Sequence, residues 1–121
     1  MSFTTHFQSP EPARASVEAL PGVTVLEFGT GWCGFCLRAQ PLFASAFANH
    51  PELRHLKIED GPGRPLGRSY RIKLWPSLVL LRDGQEQERL VRPQTEREVA
   101  EALARLVQAP PQGPADASAG T

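Results

Sequence analysis

Cysteine is scarce in this 121-residue chain: there are only two, Cys33 and Cys36, and methionine and tyrosine appear once each. Cysteines three positions apart close too small a loop to stabilise a domain of this size, which excludes a disulfide-stapled scaffold. Long apolar runs are missing as well. The longest is Leu78 to Leu81, far short of the roughly 20 residues needed to span a bilayer. Met1 to Pro12 is polar and holds Pro10 and Pro12 where a secretory signal needs a continuous apolar segment. Net charge is also absent, with 13 basic against 13 acidic residues and no block of either sign, which argues against nucleic acid or an anionic membrane as the main partner. A cytoplasmic protein is expected, and its length suits one domain able to bury a core without a structural metal.

The chain holds a regular succession of elements. Residues 1 to 12 read as an irregular lead-in in which Phe3, His6 and Phe7 add an edge strand. Ala13 to Leu20 has helical composition, and Pro21-Gly22 stops it before Val23 to Phe28, a β-branched and apolar run expected to be a buried central strand. Gly29-Thr30-Gly31 breaks that strand. From Cys33 to about Ala48, Cys36, Ala39, Phe43, Ala46 and Phe47 recur at helical spacing, and Pro41 inside this helix should bend it. Leu53 to Ile58 reads as a second strand, with Leu56 and Ile58 alternating against His55 and Lys57.

Asp60 to Arg68, rich in glycine and proline, reads as a loop into a short helix near Leu66 to Tyr70. Ser77 to Arg82 and Glu86 to Val91 form a hairpin about Asp83-Gly84. Thr95 and Glu98 make a capping box for a last helix whose apolar face is Val99, Ala102, Leu103, Leu106 and Val107. Residues 1–108 form the domain, and 109–121, rich in Pro, Ala and Gly, are expected to be a disordered tail. Strands joined through helices imply parallel pairing and the hairpin adds an antiparallel pair, so the fold class is α/β, a central mixed sheet flanked by helices on both faces.

The chemistry concentrates at the cysteines. Cys33 falls where a strand gives way to a helix, and the unpaired N–H groups and dipole of a helix start favour an anion such as a thiolate. Cys33 is therefore the expected nucleophile, resting as an accessible anion. One turn on, Cys36 can attack a mixed disulfide at Cys33 and resolve it. Its place on the apolar stripe should bury it more deeply and raise its thiol pKa. Glu27, in mid-strand just before the active loop, is the candidate base. A buried carboxylate without a partner is costly, so its pKa is expected to be raised. A zinc site would need four ligands, with His50 and His55 both converging on the pair, and has the least support.

These residues carry a recognisable pattern. Val25 to Cys36, with Trp32-Cys33-Gly34-Phe35-Cys36 at its end, then Pro41, Tyr70 and Trp75-Pro76-Ser77 ahead of a strand and an Asp-Gly hairpin, resembles the thioredoxin family over residues 23 to 107. The resemblance implies a thioredoxin-like fold and a protein-disulfide oxidoreductase. Cys33 would attack, Cys36 resolve and Glu27 serve as the buried acid, usually aspartate in the family. Pro76 would be the cis-proline facing the sulfurs, and Trp32, Gly34, Phe35, Trp75 and Pro76 would contact substrate. No cofactor is implied beyond a redox-active Cys33–Cys36 disulfide. Protein disulfides and a thioredoxin-reductase-like electron donor would be the partners of a monomer with no nucleic acid or membrane partner.

Departures from the family pattern bear on that reading. Phe35 stands where proline is usual between the cysteines and restores a backbone N–H that could reach Cys33. The lysine usual near the buried acid becomes His55, or Lys57 if the register differs by two, and a neutral histidine would leave Glu27 the weaker acid of the two cases. Arg92-Pro93 replaces a glycine-containing surface. With Trp75, that change motivates the alternative function, a non-turnover adaptor or redox-sensing binding module.

Overall fold

The computed structural model describes residues 3–108. Val23–Gly29 (β1) is the central strand, as its β-branched composition predicts. It pairs in parallel with Arg54–Glu59 (β2) and antiparallel with Ser77–Arg82 (β3), which pairs antiparallel with Gln85–Val91 (β4). The mixed four-stranded sheet has the order β2-β1-β3-β4. The β3–β4 turn is short because Asp83 and Gly84 both take left-handed backbone conformations, φ 50° and 81°, whose twist matches the flanking strands.

Alternation along β1 divides the interior. Val25 points to one face, where Gly34–Phe47 (α2) and Glu96–Gln108 (α4) cover it with Phe43, Phe47, Val99 and Leu103. Leu26 and Phe28 point to the other, against Val17 of Arg14–Glu18 (α1) and Leu66 of Pro65–Ser69 (α3). Burial of each such side chain stabilises the fold by about 1.5–3 kcal/mol, and one face alone would leave half of the sheet's apolar surface wet. The capping box forms as predicted: Thr95 Oγ1 accepts from Glu98 N–H at 3.1 Å, and Glu98 Oε1 accepts from Thr95 N–H at 3.2 Å.

Three details differ from the sequence reading. The lead-in contributes one bridge, Phe7 to Lys57, rather than an edge strand, because Pro10 and Pro12 lack the N–H groups that would continue a ladder. β1 runs through Gly29 instead of ending before it. His55 is buried although its strand reads as polar-apolar alternation, since helices cover both faces of the sheet. The expected tail at 109–121 lies outside the described residues.

Candidate active site

Gly34 opens α2, and Cys33 is its N-cap. The Cys33 sulfur accepts a hydrogen bond from Cys36 N–H at 3.1 Å, so it takes the place that an aspartate or serine oxygen holds at other helix starts. The N–H that reaches the sulfur belongs to Cys36, not to Phe35, where the sequence reading looks for it. Both cysteines are free thiols, and both are largely covered, at 6% and 4% exposure. Cys33 is thus less open than the sequence reading expects, and Cys36 is only marginally the deeper of the two.

The fold pushes the Cys36 thiol pKa up to about 12. Burial is the largest cause, since a thiolate there loses water, followed by the hydrogen bond with Cys33, while a backbone hydrogen bond from Thr30 works the other way. The Cys33 sulfur and the Glu27 carboxylate raise it further through their charges. The room for this sulfur comes from Gly29. A Cβ on Gly29 would sit 2.6 Å from Cys36 Sγ, well inside contact distance. The glycine that reads as a strand breaker is a strand residue whose missing side chain admits a sulfur.

Val25, Glu27 and Gly29 follow one another on the β1 face that meets α2, which carries Glu27 under the helix at 1% exposure. It is not left without partners. Gln40 Nε2 donates to Glu27 Oε2 at 2.8 Å and to the Cys36 carbonyl at 3.2 Å. His55 Nε2 lies 2.9 Å from Glu27 Oε1. The His55 tautomer follows from its other nitrogen: Nδ1 accepts from Thr4 N–H at 2.9 Å, so the ring proton sits on Nε2 and is donated to Glu27. Phe3 stacks on the imidazole at 4.9 Å and Phe47 tilts against it at 4.8 Å.

The choice between His55 and Lys57 resolves into both. Lys57 is the β2 residue paired with Glu27, and His55 is paired with Val25. His55 touches the carboxylate directly, whereas Lys57 Nζ reaches Gln40 Oε1 at 3.1 Å and so acts on Glu27 through the amide. Both His55 ring nitrogens are thereby committed. His50 is turned to Glu52 at 3.6 Å, and no group of metal-ligating side chains gathers among the described residues.

The loop before β3 brings in the remaining predicted residues. The Trp75–Pro76 bond is cis. Trp75 Nε1 donates to Asp60 Oδ2 at 2.8 Å, and its ring meets that of Trp32 edge-on at 5.7 Å. Trp75 is therefore half-buried and held by packing and hydrogen bonding together, while Trp32 is 76% exposed and Phe35 45% exposed. Gly34 leaves space beside the helix start, where an added Cβ would touch only the Arg38 guanidinium, at 3.5 Å.

Sequence reasoning missed Thr4, Gln40 and Asp60. Gln40 carried a usable signal, since it stands four residues after Cys36 and so on the same helix face. Thr4 and Asp60 lie in segments without periodicity and gave none.

An α/β domain with a dithiol at the start of a helix, a buried carboxylate beneath it and a cis-proline ahead of β3 defines the class of this protein. A family model described as Thioredoxin matches residues 8–105. The thioredoxin of Chlamydia trachomatis serovar D is 34% identical over 71 residues, which cover 58% of this chain and 69% of that protein. The solved structure of thioredoxin 2 from Pseudomonas aeruginosa PAO1 in its reduced form is 51% identical, with a TM-score of 0.79 over 87% of this chain and 97% of that one. The chain belongs to the thioredoxin family. It spans 50% to 58% of the length of curated thioredoxins from Fagopyrum esculentum, Oryza sativa and Populus jackii that it matches.

Proposed function

We propose that this protein is a thiol-disulfide oxidoreductase that reduces protein disulfides, with Cys33 as nucleophile, Cys36 as resolving thiol and Glu27 as proton acceptor. The observation that carries the reading is the asymmetry of the two sulfurs: one caps a helix start, and the other is a thiol with a pKa of about 12. The Cys33 thiolate attacks one substrate sulfur, forms a mixed disulfide and expels the other substrate sulfur as a thiolate that takes a proton from solvent. Cys36 then loses its proton to Glu27 and attacks Cys33 Sγ. The second substrate sulfur leaves as a thiolate that takes up a proton, which Glu27 can return through solvent, and a Cys33–Cys36 disulfide remains, two electrons having passed to the substrate.

The order of these steps follows from the causes that suppress Cys36. At a pKa of about 12 its thiolate fraction at pH 7 is on the order of one part in 100,000, so it does not compete with Cys33 for substrate. Once Cys33 is in a mixed disulfide, its negative charge is gone and its sulfur is a poorer hydrogen-bond partner. Two of the causes that hold Cys36 protonated then weaken together. The resolving thiol becomes more acidic when it is needed.

This reading includes a cytoplasmic setting, where dithiols persist reduced, and a thioredoxin-reductase-like donor that returns the disulfide to the dithiol. It needs no cofactor beyond the sulfur pair. No helix among the described residues is long and apolar enough to cross a membrane. The test is insulin reduction with each cysteine replaced. Cys33→Ser should abolish turnover and Cys36→Ser should accumulate a mixed disulfide with substrate, whereas full turnover by Cys33→Ser would overturn the assignment.

A further inference from the structure

Phe35 and Arg92, two departures from the family pattern that lie far apart in sequence, meet in space. The Arg92 guanidinium carbon stands 3.9 Å from the centroid of the Phe35 ring, and that of Arg38 stands 4.8 Å from the same centroid. Arg92 is also held from behind: its Nε donates to the Trp75 carbonyl at 2.7 Å, and its N–H donates to the Pro76 carbonyl at 2.9 Å. These contacts fix the head group over Phe35, the residue between Gly34 and Cys36, without neutralising it. Arg14, Arg64, Arg89, Arg97 and Arg105 each pair with a carboxylate. Among the described residues Arg38 and Arg92 do not, and neither do Arg54, Arg68, Arg71 and Arg82, but Arg38 and Arg92 are the two that share one aromatic ring.

A guanidinium carries five N–H donors in one plane, and the Trp75 carbonyl uses a single one of those on Arg92. The two arginines border an open groove of about 350 Å³ whose walls include Phe35, Leu42, Pro76 and Gln94. Its apolar walls suit a side-chain stem, and the cations at its border suit a carboxylate head.

We propose that Arg92 and Arg38, braced on Phe35, form a subsite that selects substrate segments carrying an aspartate or glutamate close to the disulfide. The proposal rests on the oxidoreductase reading and names its substrate class. The occupant is an extended acidic segment of a protein substrate, because the groove adjoins Pro76 and its cations have no acid of their own.

The experiment compares two peptides closed by an intramolecular disulfide and differing only by Glu or Gln next to one cysteine, with dithiothreitol as electron donor. For the unmodified protein, kcat/KM should favour the Glu peptide about fivefold at low salt, the upper range for an ion pair at a surface. The preference should shrink near 1 M salt, where the screening length falls to about 3 Å. Arg92→Gln should remove most of it, and Arg38→Gln, an exposed change that the fold tolerates, should reduce it. Equal rates on the two peptides, or a preference untouched by both substitutions, would overturn the subsite. Reduction of the uncharged reagent dipyridyl disulfide separates the two levels. If the unmodified protein fails to reduce it, the oxidoreductase reading falls and the subsite with it. If it reduces the reagent yet treats the peptides alike, only the subsite falls.

Discussion

The close approach of Gly29 to Cys36 can be tested by adding a single methyl group. Gly29 lacks the positive φ that would strain an alanine, so Gly29→Ala changes only what the new Cβ meets, and it meets Cys36 Sγ at 2.6 Å. Carbon and sulfur need roughly 1 Å more than that, and opening such a gap in a packed interior costs about 1–3 kcal/mol. Replacing glycine in a strand returns about 0.5–1 kcal/mol of chain entropy, so the net loss, taken at the middle of both ranges, is about 1 kcal/mol. In a domain of this size that lowers Tm by several degrees, at roughly 4–8 °C per kcal/mol. The measurement is thermal unfolding of the reduced protein followed by circular dichroism. Gly31→Ala is the control, because its Cβ would meet nothing within 4 Å, and it should be neutral or slightly stabilising. Cys36→Ala should suppress most of the Gly29→Ala penalty, giving a coupling of about 1 kcal/mol in the double-mutant cycle. An unchanged Tm for Gly29→Ala, or a penalty that persists without the sulfur, would refute the steric account.

Other outcomes follow from the same site. Glu27→Gln should slow resolution of the mixed disulfide at neutral pH by about 100-fold or more, the scale of a lost proton acceptor, while the first attack keeps its rate; single-turnover kinetics separates the two. His55→Phe keeps the ring packing but leaves Glu27 Oε1 and Thr4 N–H each without a partner, at a cost of about 1–3 kcal/mol in denaturant unfolding. Because the Cys36 pKa is pushed up to about 12 in the fold from an ordinary thiol value of 9.0, its contribution to stability is fully present below pH 9 and is lost as pH rises through 12. Alkaline unfolding should therefore be less steep for Cys36→Ala. Alkylation of Cys36 in the free reduced protein should increase about tenfold per pH unit across the neutral range, read by mass spectrometry.

Much of this arrangement is legible in the residues themselves. Val23 to Phe28, the Asp83-Gly84 turn and the Thr95 to Glu98 capping box declare their structure locally, because each depends on propensity or hydrogen bonding within a few positions. The partners of Glu27 do not. His55 and Lys57 share a face at strand period, and although the register sets Lys57 beside Glu27, it is the His55 ring, one pair back, that reaches the carboxylate, a diagonal contact that needs the folded side chains to be seen. Gly29 misled for a related reason: a glycine that ends a strand and a glycine that yields to a neighbour look the same until the neighbour is in place. Arg92 reads as a surface charge after a strand, and its stacking on Phe35 spans 57 positions of chain, 92 less 35. No pattern in the sequence records such a distance.

The hydrogen bond from Thr4 to His55 has a practical side. It ends a chain of contacts that runs from His55 through Glu27 and Gln40 to Lys57, so Thr4, in the segment before α1, supports the carboxylate beneath the dithiol. Removing Phe3 and Thr4 would take away both the ring stacked on His55 and the N–H that its Nδ1 accepts, and with them the support of the imidazole against Glu27.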